Sequence, residues 1–239
     1  MQAQAANRGV PLENIVPFYQ PIFALANKRV DRYECLARLL DSNQQIVLPN
    51  EFLYIIESNH DTADMTSRIL ELSRAYCCPR QMSWSINLFA EDLDDKPLLA
   101  NIEALCKDSS KGLCGIDLHF DCIKDNLLVL STLSKRIPNL HITVDEIDEW
   151  GDSLYSVIAS GVDAIKIKSS LIKQHAKTKN GRELITKFKL YCQTHNCKLI
   201  AEHIEDAESL AAVKEMEILY GQGFYLSHPV PKVVAVHSN

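Results

Sequence analysis

The feature that most constrains what this chain can fold into is an alternation. Runs rich in β-formers recur at residues 16–23, 30–40, 83–89, 115–120, 141–146, 163–169, 198–204 and 218–227, and stretches with helical spacing separate most of them. Met65, Ile69, Leu72 and Tyr76 recur at intervals of four, three and four, which is one helix face. Leu184, Ile185, Phe188, Tyr191 and Cys192 do the same, and Leu154, Val157 and Ile158 make a shorter stripe. Strands joined through helices need crossover connections, which build a mainly parallel sheet. Eight such strands in about 220 residues fit a closed α/β barrel of the (β/α)8, TIM-like kind. Only residues 24–29, including Asn27, separate the first two runs. That reads as a hairpin, so one strand is expected to run antiparallel to the rest. The expected layout is a tail over residues 1–14 and one barrel over 15–239.

Composition excludes several classes. With 31 acidic against 25 basic residues the net charge is −6, which disfavours coating a DNA or RNA polymer. A small phosphorylated ligand in a cleft remains compatible with it. The N-terminal MQAQAANRGVPLEN lacks an apolar core of signal-peptide length, and no stretch approaches the roughly 18 apolar residues of a membrane span. The cytoplasm is the expected compartment, without membrane attachment. The eight cysteines (Cys35, Cys77, Cys78, Cys106, Cys114, Cys122, Cys192, Cys197) form no C-x-x-C pair, so most are expected to be buried thiols.

In a barrel, chemistry gathers at the carboxyl ends of the strands. Nearly every candidate strand carries a polar residue among apolar neighbours. These are Gln20, Glu34, Asn87, Asp117, Asp145 with Glu146, Lys166, Glu202 and Gln222. One such residue is ordinarily a solvent-facing position; the same departure in every strand is a pattern. Buried charges need partners or a metal. If these residues converge, the site is rich in oxygen and lacks His or Cys, which suits Mg²⁺ or Mn²⁺ rather than tetrahedral zinc. Hard ions beside a lysine are usual equipment for phosphodiester hydrolysis, with a two-metal site as one form.

At these residues the chain resembles the EAL family, the cyclic di-GMP phosphodiesterases of bacteria. Tyr19-Gln20-Pro21-Ile22 matches the family's opening strand, and Glu34-Cys35-Leu36 stands at its Glu-Ala-Leu, with Arg38 at the LxR position. Pro49-Asn50-Glu51-Phe52 with Glu57 resembles its PxxF…E segment, and Ile86-Asn87-Leu88 its INL strand. Lys166-Ile167 matches the start of KID, Ala201 through Glu205 match AEGVE, and Gln222-Gly223-Phe224-Tyr225 with Pro229 match the closing motif. The resemblance implies a barrel whose first strand is antiparallel, hydrolysing cyclic di-GMP to linear pGpG with Mg²⁺ or Mn²⁺. It assigns Glu34, Asn87, Asp117, Asp145 and Glu146 to metal, Lys166 to the attacking water, and Glu202 to the general base. Glu205 would support the site, while Gln20, Arg38 and Gln222 would contact or position the nucleotide.

The departures are specific. LExTE reads Ile116-Asp117-Leu118-His119-Phe120, which shortens the metal-binding Glu and replaces a loop-anchoring one. DDFGTG reads Asp145-Glu146-Ile147-Asp148-Glu149-Trp150, KID ends in Lys168, and His203 replaces the Gly of AEGVE. Losing the glycines removes permissive backbone from a loop that, in the family, couples dimer contacts to the site. Two readings follow: a phosphodiesterase with a modified, weaker site, or an inactive cyclic di-GMP receptor or protein-interaction adaptor. A second copy of the chain, or a regulatory protein, remains open as a further partner. His60, His141, His195 and His237 are expected at the surface. His119 and His203 lie near the site without metal-ligand spacing, and Trp150 is expected to pack rather than stack on a base.

Overall fold

The computed structural model describes residues 9–107, 114–124 and 126–233; His237 lies outside them. Strands β1 (Ile15–Ala24) and β2 (Arg29–Leu40) pair antiparallel, with Gln20 opposite Glu34. Their connection turns at Asn27, whose Oδ1 accepts the Arg29 N–H at 3.0 Å, a side-chain turn typical of asparagine. Five strands then run parallel to β2: β4 (Trp84–Leu88), β5 (Cys114–His119), β6 (His141–Ile147), β7 (Ala164–Lys168) and β8 (Lys198–Glu202). The short β9 (Tyr220–Gly221) pairs parallel with β8 and antiparallel with β1, which closes the barrel. Strand β1 is thus the reversed one. A two-residue β3 (Ile46–Val47), which no sequence pattern marks, extends β2 at its far end.

Helices cover the outside. Between β3 and β4 lie α1 (Pro49–Ser58) and α2 (Thr62–Cys77), and α3 (Lys96–Cys106) follows β4. Then come α4 (Phe120–Ile123), α5 (Leu128–Arg136), α6 (Asp152–Ala159), α7 (Ser169–His175), α8 (Lys179–Thr194) and α9 (Ala207–Glu215). Four of them start on side-chain caps: Asp95, His119, Thr178 and Asp206 accept N–H groups of Leu98, Asp121, Gly181 and Ser209. Each cap satisfies a donor the helix start would otherwise leave free. The stripes read from sequence are the buried ones, with Met65 and Ile69 on α2, and Ile185, Phe188 and Cys192 on α8. All eight cysteines are free thiols, and six of them are buried.

Side-chain alternation explains why the strands read as apolar runs broken by one polar residue. Ile86, Ile116, Leu118, Ile142, Val144, Ile165 and Ile167 face the helices and belong to the main core. The residues between them face the barrel interior. Low in that interior, Ile22, Ala164 and Ile200 pack as a separate cluster. Beside them Arg32, 2% exposed, donates to Thr143 Oγ1 at 2.7 Å. Two residues nearer the mouth on each strand come Gln20, Lys166 and Glu202. The barrel therefore has an apolar floor and a charged upper layer.

The run at 218–227 is not one long strand, as its apolar content suggests. After Gly221 the chain bends across the barrel mouth: Tyr225 N–H donates to Ile204 O, and Leu226 and Ser227 N–H to Gly223 O. Gly223 permits this, because a Cβ there would lie 2.2 Å from Ile204 O and 2.3 Å from Ile204 N. Neither atom is at the end of a flexible side chain, so the backbone itself must move. Gly223→Ala is expected to lower unfolding free energy by about 1–3 kcal/mol, read from urea melts. An unchanged midpoint would show that this crossing is not tightly held.

Candidate active site at the barrel mouth

Lys166 sits in the middle of the upper layer, 1% exposed. Its Nζ is 2.6 Å from Glu34 Oε2 and 2.7 Å from Asp117 Oδ2, with Asp145 Oδ2 at 3.8 Å. Glu34 is held from three sides: Asn87 Nδ2 donates to its Oε1 at 2.9 Å, and Gln222 Nε2 joins Lys166 on Oε2 at 2.8 Å. Ser85 Oγ donates to Asp117 Oδ2 at 3.0 Å. The same Gln222 amide reaches Gln20 Oε1 at 3.2 Å, and Gln20 Nε2 donates to Ser227 O at 3.1 Å. Strands β1, β2, β4, β5, β7 and the end of β9 are thus joined by one polar network.

Charge is not balanced within it. Three carboxylates surround one ammonium. Burial alone would raise the Glu34 carboxyl, but the Lys166 ammonium, together with the Asn87 and Gln222 amide donors, outweighs it and holds it down at about 2. Asp145 goes the other way. Burial, with the Asp117, Glu34 and Glu146 carboxylates, pushes it up to about 7 against the pull of Lys166. Burial opposes charge on Lys166, and the surrounding carboxylates overcome it, so the ammonium is held well above its usual range.

Around this centre, Glu202 is 5% exposed and accepts the Glu146 N–H at 3.1 Å. Burial pushes its carboxyl well up, again opposed by Lys166. Glu146 Oε2 pairs with Lys168 Nζ at 2.9 Å, and its Oε1 lies 3.7 Å from His203 Nε2. Arg38 is buried, donates to Ala37 O at 2.7 Å, and has its guanidinium lowered by burial. A cavity of about 190 Å³ is lined by Gln20, Arg38, Glu202, Glu205, Gln222 and Phe224. A larger one, about 690 Å³, opens on Glu34, Asn87, Asp117 and His119 towards α1 and α2.

Every residue singled out from sequence lies on this mouth, Glu205 only at its exposed rim. Sequence reasoning missed Ser85, which alternation could have found, since it lies two residues before Asn87 and shares its face. It also dismissed His203, which now stands with Glu146 and Glu202 as a group able to hold a metal. The reason is backbone: Glu146 and His203 both adopt left-handed φ, 57° and 53°, and linear spacing cannot express that. Trp150 packs edge-on against Phe188 and His175, as expected. His119 is committed as a helix cap, its Nδ1 accepting the Asp121 N–H.

A model of the EAL domain matches residues 3–229. The chain belongs to the EAL domain family. Among curated EAL relatives it is 24% identical over 225 residues to the cyclic di-GMP phosphodiesterase NbdA of Pseudomonas aeruginosa, covering 89% of this chain and 28% of that one. It is 22% identical over 224 residues to the cyclic di-GMP phosphodiesterase PdeA of Borreliella burgdorferi, covering 90% and 33%. The chain thus spans about a third of the length of the curated relatives it matches. The EAL domain of FimX from Pseudomonas aeruginosa, solved bound to c-di-GMP, superposes with a TM-score of 0.81 at 20% identity, covering 95% of this chain and 96% of that one. An EAL protein of Listeria monocytogenes gives 0.79 at 20% identity, covering 97% and 95%. These likenesses establish the EAL barrel fold. No helix among the described residues is long and apolar enough to cross a membrane.

The EAL cluster fits a divalent cation. Glu34, Asp117 and Asp145 each offer an oxygen, all within 4.8 Å of one another. Asp117 Oδ1 is buried with no hydrogen-bond partner among the described residues, and an acceptor of that kind is costly unless something occupies it. Lys166→Met should lower metal-free stability by about 3–5 kcal/mol, because three buried carboxylates lose the ammonium at their centre. Mn²⁺ should restore much of it, read from melts with and without the ion.

The metal-free chain also carries a pH signature. Burial and the neighbouring carboxylates push Asp145 from the ordinary aspartate range up to about 7, so its stabilising contribution is complete below about pH 4 and is lost as pH rises through 7. Glu34, held down at about 2, has the opposite pH dependence: its stabilising contribution is present above the ordinary carboxylate range and is lost only in acid. Metal-free protein should therefore melt lower at pH 8 than at pH 5.5, and Asp145→Asn should flatten that slope. An equal slope in the variant would remove Asp145 from the account.

Proposed function

We propose that this EAL domain hydrolyses cyclic di-GMP to linear pGpG in a divalent-metal-dependent reaction, through a site altered from the family pattern. The observation that carries the reading is the Lys166-centred cluster, whose unsatisfied acceptor and excess negative charge call for a divalent cation beside an ammonium. Glu34, Asn87, Asp117 and Asp145 would hold Mg²⁺ or Mn²⁺, with Glu146 and Glu202 on the side of a second ion. When bound, such an ion supplies positive charge to the phosphodiester and acidifies water.

The chain's own residues carry the remaining work. The Lys166 ammonium points into the cluster and orients the attacking water between the carboxylates. Glu202, with its carboxyl pushed up by burial, is suited to take a proton from that water, since a base works best near the operating pH. The water oxygen bonds to phosphorus, the P–O3′ bond breaks, and the leaving oxygen takes a proton from solvent. Gln20, Arg38 and Gln222 line the adjacent cavity and bind the nucleotide, with Arg38 bringing positive charge to a doubly anionic ligand. Glu205 supports the rim. The cytoplasm is the compartment consistent with this substrate.

A second reading, a receptor that binds cyclic di-GMP without cutting it, draws on Lys168. Its ammonium at Glu146 neutralises a carboxylate on the side of the second ion. Turnover separates the two. Purified chain with Mn²⁺ or Mg²⁺ should yield pGpG, resolved by chromatography, and chelation should stop it. Glu34→Ala should abolish turnover, and Glu202→Gln should lower kcat by about 10²–10⁴-fold. Tight binding without product would overturn hydrolysis in favour of the receptor, and no binding would overturn both.

A further inference from the structure

Glu146 at the end of β6 and Glu202 and His203 at the end of β8 form a second group, apart from the Lys166 cluster. Each offers a ligand atom, all within 4.8 Å of one another. Glu202 is 95% shielded yet accepts only the Glu146 N–H, and among the described residues no ammonium or guanidinium pairs with it. That leaves Glu202 lining the cavity beside Glu146 and His203 with no cationic side chain paired to it among the described residues, so a bound cation there would meet a carboxylate with ligand capacity to spare. Lys168 occupies Glu146 Oε2 and leaves Oε1 on the His203 side, 3.7 Å from the imidazole Nε2. The imidazole is half-exposed, and among the described residues its ring makes no hydrogen bond that would fix it elsewhere. Ser169 Oγ holds the His203 carbonyl at 2.7 Å, so the backbone beneath the ring is anchored while the ring is free to turn.

We infer that His203 is a nitrogen ligand of a second cation site completed by Glu146 and Glu202, and that this site selects a transition-metal dication over Mg²⁺. Imidazole raises affinity for ions such as Mn²⁺, Co²⁺ or Zn²⁺, whereas Mg²⁺ keeps to oxygen and water. Oxygen ligands alone, as read from the sequence, give no such preference. The inference rests on the proposed metal-dependent function and names the ion its second position takes. Glu202 has two oxygens, so ligation through one leaves the other for the proton of water.

The test reads the metal rather than turnover. The full chain is titrated with Mn²⁺, and pulsed EPR records nitrogen coupling to the bound ion. His203→Gly is the informative variant, because glycine is at ease at a φ of 53° and the fold loses nothing. The expected result is two Mn²⁺ per chain and a ¹⁴N coupling that disappears in His203→Gly. Affinity for the second Mn²⁺ should fall about 10–100-fold or more in the variant, and excess Mg²⁺ should displace that ion less readily from the parent chain. Two ions with unchanged coupling and affinity in His203→Gly would overturn the inference and leave the metal-dependent reading intact. A single ion indifferent to the substitution would do the same. No Mn²⁺ bound at all would overturn both.

Discussion

The arrangement rests on one buried ammonium. Lys166 reaches inward from β7 to lie against carboxylates delivered by β2 and β5, with a third from β6 close by. Unpaired, any of these charges would be costly to keep away from water. With all three carboxylates ionised, the cluster carries two negative charges in excess of its one ammonium. Two unit charges 4 Å apart at an effective dielectric of 20 interact by about 4 kcal/mol, so the excess is far from negligible. A proton on Asp145 or a divalent ion among the oxygens relieves it. Binding a metal and surviving without one are therefore alternative solutions to the same imbalance.

This dependence explains why the fold spends one interior position per strand on a polar group. The floor of Ile22, Ala164 and Ile200 supplies the close packing inside the barrel, and the helices cover the outer face. Stability comes from those two apolar layers, which frees the upper layer for charge. The cost falls on registry. Ser85 and Asn87 must each meet a carboxylate oxygen on a neighbouring strand and Gln222 one on β2, and Gly223 allows the chain after Gln222 to lie against the Ile204 backbone.

What was legible in the sequence follows from which interactions are local. Alternation along a strand and the 3.6-residue stripe of a helix are written in neighbouring positions. The strand cores, the buried faces of α2 and α8, and the inward Glu34, Asp117 and Lys166 could therefore be read directly. The short closing strand could not, because apolar content does not report how closely the Gly223 and Ile204 backbones approach. His203, placed near the site from sequence but without metal-ligand spacing, eludes linear reading for a related reason: at a left-handed φ its neighbour Glu146 lies 57 positions away in sequence and next to it in space. The EAL motifs supplied what local patterning could not, namely that the polar residues converge on one mouth.

The exchange of an acid for Lys168 looks at first like the loss of a metal position, yet magnitudes argue otherwise. Its side chain is 26% exposed and that of Glu146 is 35% exposed. An ion pair in that setting is worth about 0–1 kcal/mol, and it engages one of two carboxylate oxygens. Lys166, by contrast, is fully enclosed and touches two carboxylates directly. A doubly charged ion in contact with several ligands outcompetes a single, solvated ammonium at the rim. Lys168 can swing into water when that happens, since Asp148, its other acidic neighbour, is itself mostly exposed. The two lysines therefore differ in kind: one is part of the site's charge balance, and the other is a replaceable counter-ion at its edge.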